Sequence, residues 1–468
     1  MGEIRIHDDE EEQQQNPDNN NNNNNHITKK PKLLQTQQYI TQSQIQQEFS
    51  HHLPGVARIN NGSFGSCPAS IISAQRNLQL KYLQQPDDFF FNYLPDRIIR
   101  SRTIIKSLIN ADDIGEVSIV DNATTAAAIV LQHVGWGFAE GRFKKGDTVV
   151  MLKCAFQAVK KSIEAYVQRA GGEVITVDLS FPVVNVEQII DEFRLGLVKG
   201  KAEGRVVRLV IIDHITSMPS VVLPVKELVR MCKDEGVENV FVDAAHAVGS
   251  VKVDVKEIGA DFYVSNLHKW FFCPPSVAVL YCRKRNASLD LHHPVVSHEY
   301  GNGLAIESAW IGTRDYSSQL VVPEAVDFVN RFEGGIDGIM KRNHEAVIEM
   351  GNMLAKAWGT SLGVPPAMCP SMAMVGLPSC LGVLSDDDAV RLRNHLRETF
   401  SVEVPIHYQA LRDAEIGPRD ERGGFVTGYA RISHQVYNTV DDYIKFRDAV
   451  IKLLHDGFNC KTLLPREQ

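Results

Sequence analysis

An acidic residue and a lysine stand directly after two consecutive strand-like segments. Asp243 ends the apolar run 240–242, and His268 and Lys269 follow the β-rich run 261–264. Ligands of open α/β sheets bind outside the carboxyl ends of the strands. An amine and a carboxylate at that edge suit pyridoxal phosphate (PLP), because its aldehyde forms a Schiff base with an amine and a carboxylate keeps its pyridine nitrogen protonated. Asp243 alone could cap a helix and Lys269 alone could be a solvated lysine, but the pair predicts a PLP site.

An earlier strand-like segment leads into a turn that suits a phosphate group. Residues 117–120 are typical of a strand, the polar residues 121–125 follow, and a helical pattern covers 126–134. A helix that begins at such a turn directs backbone N–H groups and the positive end of its dipole at an anion. Asn and Thr are also ordinary N-cap residues, so this pattern alone is a weak signal for phosphate.

These segments belong to a longer alternation of strand-like and helical patterns. Further strand-like runs cover 148–152, 174–177 and 208–212, which predicts an α/β fold with a mostly parallel, doubly wound sheet. After a helical stretch at 322–358, strand-like runs near 373, 402 and 429–433 and a helical pattern after 439 predict a smaller α+β domain at the C-terminus.

Four motifs in order along the chain resemble one enzyme family. They are NNGSFGSCP at 60–68, VDAAHAVG at 242–249, SNLHKW at 265–270 and GTRDYS at 312–317. Together they are similar to the class V aminotransferase family of fold-type I PLP enzymes, in the branch that contains isopenicillin N epimerase-like proteins and plant L-cysteine desulfhydrases. The resemblance covers the chain from about Gln47 to the C-terminus. It implies the fold-type I PLP-dependent transferase fold and a homodimer.

The resemblance also implies roles for residues around the cofactor. Ala123 and Thr124 match the turn that binds the cofactor phosphate, and His268 lies beside the lysine in the matching motif. Phe156 stands where relatives carry a ring that stacks on the pyridine and desulfurase-type members have His; Phe156 could equally be an ordinary core residue. Thr313 matches a threonine that reaches the phosphate of the neighbouring subunit's cofactor.

Three more positions match residues near the reacting atoms. Ser217 and His246 match groups that approach the phenolic oxygen of the cofactor, where the usual residues are Asn and Gln, and the tautomer of His246 cannot be read from the sequence. Arg431 matches the arginine that binds the substrate carboxylate, a role for which its planar guanidinium is suited. The 60–68 segment alone predicts a loop and nothing more, whereas the resemblance implies that this loop lies over the active site near the substrate.

The activity that the resemblance implies is PLP-dependent β-elimination of L-cysteine to hydrogen sulfide, pyruvate and ammonia. Epimerisation, transamination, C–S lysis of a cysteine conjugate and persulfide-forming desulfuration are alternatives on the same cofactor, and a non-catalytic PLP-binding protein is an alternative of another class. A persulfide-forming enzyme needs a mobile cysteine thiolate, which in the resembling desulfurases lies shortly before the carboxylate-binding arginine. No cysteine occurs here between Cys380 and Cys460, which favours direct elimination, although Cys67 or Cys273 could reach the site from elsewhere.

Composition divides the chain and excludes several classes of partner. Residues 1–26 hold seven acids and one arginine, a charge of −6, so the rest of the chain carries −2 of the total −8 and offers no basic field for nucleic acid. We expect a disordered tail at 1–45, an N-terminal segment at 46–100, a PLP-binding large domain at 101–325 and a linking helix with the small domain at 326–468. Eight scattered cysteines without paired spacing predict neither a zinc site nor disulfides, and we expect no other metal.

The compartment is predicted from the same composition. The acidic start is unlike an organellar transit peptide, and there is no apolar segment of the kind that directs secretion or spans a membrane. We therefore expect a cytosolic protein without membrane partners, with the nucleus as an alternative because of the basic cluster at 29–32.

Overall fold

A computed structural model of the chain describes residues 39–283, 291–412 and 417–462. Within these residues, strands form three sheets of two, three and seven members. In chain order the strands are β1 (Ala57–Arg58), β2 (Val117–Val120), β3 (Thr148–Leu152), β4 (Glu173–Val177), β5 (Val207–Asp213), β6 (Asn239–Asp243), β7 (Phe262–Asn266), β8 (Ala278–Cys282), β9 (Met372–Gly376), β10 (Val402–Glu403), β11 (Ile406–Tyr408) and β12 (Gly428–Ser433).

The large sheet has the strand order β2-β8-β7-β6-β5-β3-β4. Strands β7, β6, β5, β3 and β4 are parallel, whereas β8 runs antiparallel to both β7 and β2. The antiparallel edge arises because the connection from β7 to β8 is too short for the crossover that a parallel strand needs. The predicted α/β fold with a mostly parallel sheet is confirmed. Asp213, Asp243 and Asn266 are the last residues of β5, β6 and β7, so they meet at one edge.

Helices connect and cover these strands. In chain order they are α1 (Gln42–Glu48), α2 (Asn61–Phe64), α3 (Ala69–Gln84), α4 (Pro86–Asp88), α5 (Leu94–Leu108), α6 (Ala123–Ala139), α7 (Gln157–Ser162), α8 (Val186–Gly200), α9 (Val225–Asp234), α10 (Val255–Ile258), α11 (Leu267–Trp270), α12 (Leu304–Glu307), α13 (Ser317–Leu320), α14 (Val322–Asn330), α15 (Gly335–Trp358), α16 (Asp386–Phe400) and α17 (Val440–His455). Helix α6 begins three residues before the helical pattern predicted from residue 126, because the Asn122 side chain caps it by accepting from the amide of Thr125 at 3.0 Å.

Two helical patterns are interrupted in the structure. The helix after residue 156 ends as α7 at Ser162 and continues as a π-turn and a 3₁₀ turn to Ala170. The stretch predicted at 322–358 is divided into α14 and α15 because Gly334 adopts a φ of 71°, a left-handed conformation that glycine takes without strain. The apolar spacing of the two segments conceals this break.

The small sheet is antiparallel with the order β11-β12-β9, and it places Arg431 in the middle strand, opposite Met374. The strand predicted near 402 does not join it: β10 pairs in parallel with β1 from the N-terminal segment. The predicted tail lies mostly outside the described residues, and at its end α1 begins and buries Ile45. In the described part of the chain, no helix has the length and apolar character that a membrane span requires.

Candidate active site

A cavity of about 170 Å³ opens at the carboxyl ends of β5, β6 and β7. Eight of the ten residues that the sequence analysis assigned to the site line it: Ala123, Thr124, Phe156, Ser217, Asp243, His246, His268 and Lys269. Arg431 contacts two lining residues, whereas Thr313 is exposed and does not line the cavity. The strand ends therefore bring together side chains that are far apart in sequence.

Lys269 lies in the single turn of α11, directly after β7, and its amine is partly exposed to the cavity. Burial and the nearby charge of Arg431 lower the pKa of Lys269 to about 7, while the carboxylate of Asp243 opposes this shift. Its Nζ lies 3.2 Å from Nε2 of His246. A large fraction of the amine is therefore uncharged near neutral pH, the form that can act as a nucleophile or base.

Asp243 and Asp213 form a pair of buried carboxyl groups. They are in register on neighbouring parallel strands, which lie about 4.8 Å apart, so both side chains leave the same face of the sheet. Burial raises the pKa of Asp243, and the Ala245 amide, 3.1 Å from Oδ1, and Lys269 oppose the rise. Burial and Asp243 raise the pKa of Asp213 well above its ordinary value, and Oδ2 of Asp213 has no hydrogen-bond partner within the described chain. The pair therefore carries one negative charge rather than two.

The N-terminus of α6 forms the opposite wall of the cavity. The amide of Ala123 donates to Oδ1 of Asn266 at 2.9 Å, so it is already engaged, whereas Thr124 is exposed to the cavity. Nδ1 of His268 donates to the carbonyl of Val277 at 3.2 Å, and burial lowers the pKa of His268 to about 4, so the ring is neutral. An anion here would meet Thr124 and the positive end of the 17-residue helix.

Arg431 is buried, with 4% of its surface exposed, and no carboxylate of the described residues pairs with it. Nη1 donates to the carbonyl and the hydroxyl of Ser217 at 2.9 and 3.1 Å, and Nη2 donates to Asn60 Oδ1 at 3.1 Å and Ser63 Oγ at 2.7 Å. Its Nε has no partner there. Burial lowers the pKa of Arg431 to about 10, so it stays charged. A buried guanidinium held only by neutral groups is suited to an anionic ligand.

The segment from Asn60 to Gly65 contacts the site, as the family resemblance implies and its local sequence alone does not predict. Asn61 Nδ2 donates to the carbonyl of Lys269 at 2.9 Å, and the hydroxyl of Tyr437 donates to Asn61 Oδ1 at 3.1 Å. Gly65 approaches the lysine turn so closely that a Cβ there would lie 1.8 Å from the carbonyl oxygen of His268. The local sequence indicates a turn, but nothing in it indicates which distant residues the turn contacts.

The structure bears further on two of the assigned residues, Phe156 and Thr313. Phe156 is 50% exposed and lines the cavity, so the interpretation of Phe156 as a core residue is wrong. The turn that carries Thr313 is tied to its own chain, because the Arg314 guanidinium donates to Asp121 at 3.0 Å, just before the cap of α6. Asp213 also lines the cavity, and the buried Trp270 does not line it but donates to His246, which does.

Comparisons with known proteins identify the family of the chain. The family model described as aminotransferase class-V matches residues 93–366. An Arabidopsis thaliana protein named L-cysteine desulfhydrase is 64% identical over 435 residues, which cover 93% of this chain and 95% of that protein. A second Arabidopsis protein, named a probable chloroplastic L-cysteine desulfhydrase, is 63% identical and covers 93% of this chain and 90% of its own.

Among solved structures, a variant of C-DES with glycine covalently linked to its PLP cofactor superposes with a TM-score of 0.66 at 18% identity, covering 86% of this chain and 98% of the other. At this identity the likeness concerns the fold alone. From the family model and the relatives above 60% identity, the chain belongs to the class V aminotransferase family.

Proposed function

We propose that this protein is a PLP-dependent L-cysteine desulfhydrase, which eliminates sulfide from L-cysteine and yields pyruvate and ammonia. The observation that carries the proposal is the convergence of an uncharged lysine, a buried carboxyl pair and an arginine without a carboxylate partner at one cavity. Membership of the class V family and the names of the two Arabidopsis relatives support the choice of cofactor and substrate.

The residues of the cavity fit PLP. Lys269 offers an amine to its aldehyde, Asp243 a negative charge to its pyridine nitrogen, and Thr124 with the N-terminus of α6 a site for its phosphate. Phe156 offers an aromatic face to the ring, and His246 and Ser217 offer polar groups to the phenolic oxygen. The partnerless Oδ2 of Asp213 is consistent with a polar ligand in the cavity.

When bound, PLP withdraws electrons from the Cα of an amino acid attached to it. Arg431 binds the α-carboxylate and thereby orients the Cα–H bond of the substrate. Nζ of Lys269, whose pKa of about 7 leaves a large fraction of the amine uncharged near neutral pH, accepts the Cα proton. The negative charge of Asp243 would stabilise the positive charge of a protonated pyridine nitrogen. Breaking the Cβ–S bond releases the thiolate, and water completes the conversion to pyruvate and ammonia.

The experiment that tests the function is product analysis with the purified holoenzyme. L-Cysteine, D-cysteine, cystine and alanine are supplied separately, and sulfide, pyruvate and glutamate are measured in each reaction. We expect equal amounts of sulfide and pyruvate from L-cysteine. Conversion of L- to D-cysteine or formation of glutamate in the presence of 2-oxoglutarate would show epimerisation or transamination instead.

Direct elimination is favoured over persulfide formation by the placement of the cysteines. None of the eight, all of which the structure describes, lines the cavity. Burial raises the pKa of Cys67 to about 12 and that of Cys273 well above its ordinary value, so neither thiol forms the reactive thiolate readily. Mass spectrometry after incubation with cysteine and no reductant should show no adduct of about 32 Da, one sulfur atom, on any cysteine. A stoichiometric adduct would favour desulfuration.

We also propose that the protein is a homodimer and lies in the cytosol. The homodimer is supported by an apolar groove lined by Leu94, Ile98, Ile306 and Trp310, beside Phe91, which is 70% exposed. Such a surface suits a second copy of the chain, and the exposed Thr313 would then be able to reach the partner's cavity. Light scattering should give twice the mass of the chain, and a fluorescent fusion should show the cytosol rather than the plastid named for one relative.

A further inference from the structure

His246 lies between the amine of Lys269 and the indole of Trp270, the residue that follows the lysine. Its Nε2 is 3.2 Å from Nζ of Lys269, and its Nδ1 is 3.4 Å from Nε1 of Trp270, which donates to it. Both rings are buried, with 2% of His246 and 0% of Trp270 exposed. One imidazole therefore joins two consecutive residues of α11 through its two nitrogens.

The two contacts determine the tautomer of His246. An indole N–H can only donate, so Nδ1 of His246 must be the nitrogen without a proton. Burial, together with the positive charge of Lys269 when it is protonated and that of Arg431, holds the pKa of His246 well below its ordinary value, so the ring is neutral. A neutral imidazole carries one proton, which here is on Nε2 and faces the lysine.

We propose that Trp270 is a positioning residue that fixes His246 in its Nε2–H tautomer, and that this N–H keeps the Lys269 amine in its uncharged form. The Nε2–H group donates to the lone pair of a neutral amine, whereas it repels an ammonium group at the same position. His246 therefore has no free lone pair with which to take a proton from Lys269. The chemical meaning of this arrangement, though not the tautomer itself, rests on the proposed function.

The alternative role for Trp270 is to fill the core beside the lysine turn. A Trp270→Phe variant separates the two roles, because it keeps an aromatic ring and removes only the indole N–H. Without that donor, His246 is free to place its proton on Nδ1 and to present a lone pair to Lys269. The ammonium form of the lysine is then stabilised, so its pKa rises.

The measurement is the rate at which the apoenzyme bonds covalently to PLP, followed by absorbance as a function of pH. The wild-type midpoint should lie near the pKa of Lys269, about 7. The midpoint of Trp270→Phe should be higher by about one pH unit, the size expected for one hydrogen bond. An unchanged midpoint would overturn the inference and leave Trp270 as a core residue.

Two controls make the result specific. Trp358 is a matched buried tryptophan outside the cavity, whose Nε1 donates to the carbonyl of Arg447 at the same 3.4 Å, so Trp358→Phe should leave the midpoint unchanged. In a His246→Ala background, Trp270→Phe should add no further shift, because the ring through which it acts is absent. A full additional shift in that background would contradict the proposal.

Nuclear magnetic resonance provides a readout that needs neither the Trp270→Phe variant nor the cofactor. In the wild-type apoenzyme with ¹⁵N-labelled histidine, the His246 signals are those that His246→Ala removes. They should show a protonated Nε2 and an unprotonated Nδ1, and the opposite tautomer would overturn the inference. An apoenzyme that never bonds to PLP would contradict the proposed function, and the tautomer would still decide this inference.

Discussion

The two ends of the cavity are built from the chain in different ways. One end, termed the ring end, is proposed to hold the cofactor ring and contains Asp213, Asp243 and Lys269. The two carboxyl groups end β5 and β6, and Lys269 follows the neighbouring strand β7. The other end, termed the carboxylate end, is proposed to bind the substrate carboxylate. Arg431 lies there with Asn60, Ser63 and Ser217, from which it is separated in sequence by 371, 368 and 214 residues. The strand ends position most of the first group, and Asn61 also donates to the carbonyl of Lys269. The second group depends throughout on the packing of segments that are distant in sequence.

The charges of the two ends differ as well. Buried ionisable groups at the ring end shift one another's pKa, so each of them affects the chemistry through the others. At the carboxylate end one cation is held by neutral hydrogen-bond acceptors, so its surroundings orient it more than they change its charge. We therefore expect changes at the ring end to lower kcat and changes at the carboxylate end mainly to raise KM.

Lys269→Ala should have the largest effect. Without the amine, PLP is bound only non-covalently and no group accepts the Cα proton, so we expect turnover below detection and weaker cofactor binding. Lys226→Ala, at an exposed lysine that pairs with Glu257, is the matched control and should behave as wild type. Sulfide release is measured for both variants after gel filtration. Substantial activity of Lys269→Ala would show that the amine of Lys269 is not required for turnover.

Asp243→Asn should lower kcat by on the order of 10² or more, because an amide does not hold the proton of the pyridine nitrogen. Asp213→Asn is its counterpart on the neighbouring strand. Since burial and Asp243 raise the pKa of Asp213 well above its ordinary value, we expect the neutral amide of Asp213→Asn to cost less than about tenfold in kcat. Steady-state kinetics of the two variants decide the assignment, and the reverse order would show that Asp213 carries the charge.

Arg431→Lys should raise KM for L-cysteine by about 10- to 100-fold, because an ammonium group lacks the planar fork that binds a carboxylate with two hydrogen bonds. The Lys269 link to the cofactor should remain, since its absorbance depends on the ring end. A variant with normal KM and low kcat would contradict the separation of the two ends.

Ser63→Ala should have the smallest effect at the cavity. It removes the hydrogen bond of 2.7 Å from Nη2 of Arg431 to Ser63 Oγ and the bond of 2.7 Å from Ser63 Oγ to Asn60 Oδ1, and it leaves the guanidinium charged. We expect KM to rise by about three- to tenfold with kcat nearly unchanged, because Arg431 loses one of its hydrogen-bond acceptors. Kinetics at saturating and at limiting cysteine separate the two terms, and a large loss of kcat would place Ser63 closer to the chemistry.

The difference between the two ends of the cavity also explains which site residues could be predicted from the sequence and which could not. Asp243 and Lys269 were recognisable because a parallel sheet brings consecutive strand ends together, so order along the chain becomes proximity in space. Arg431 came from the family resemblance alone, since an arginine in a strand is otherwise an ordinary surface charge. The roles of Asn61 and Trp270 depend on contacts that form only when distant segments pack, and the pairing of β10 with β1 was hidden for the same reason.

The most direct test of the ring end is to locate the covalent bond between the cofactor and the protein. The holoenzyme is reduced with borohydride, digested and analysed by mass spectrometry, with an unreduced sample as the control. The account predicts a phosphopyridoxyl group on the peptide that carries Lys269 and on no other lysine. Modification of a different lysine, or none in a protein that still releases sulfide from L-cysteine, would contradict it.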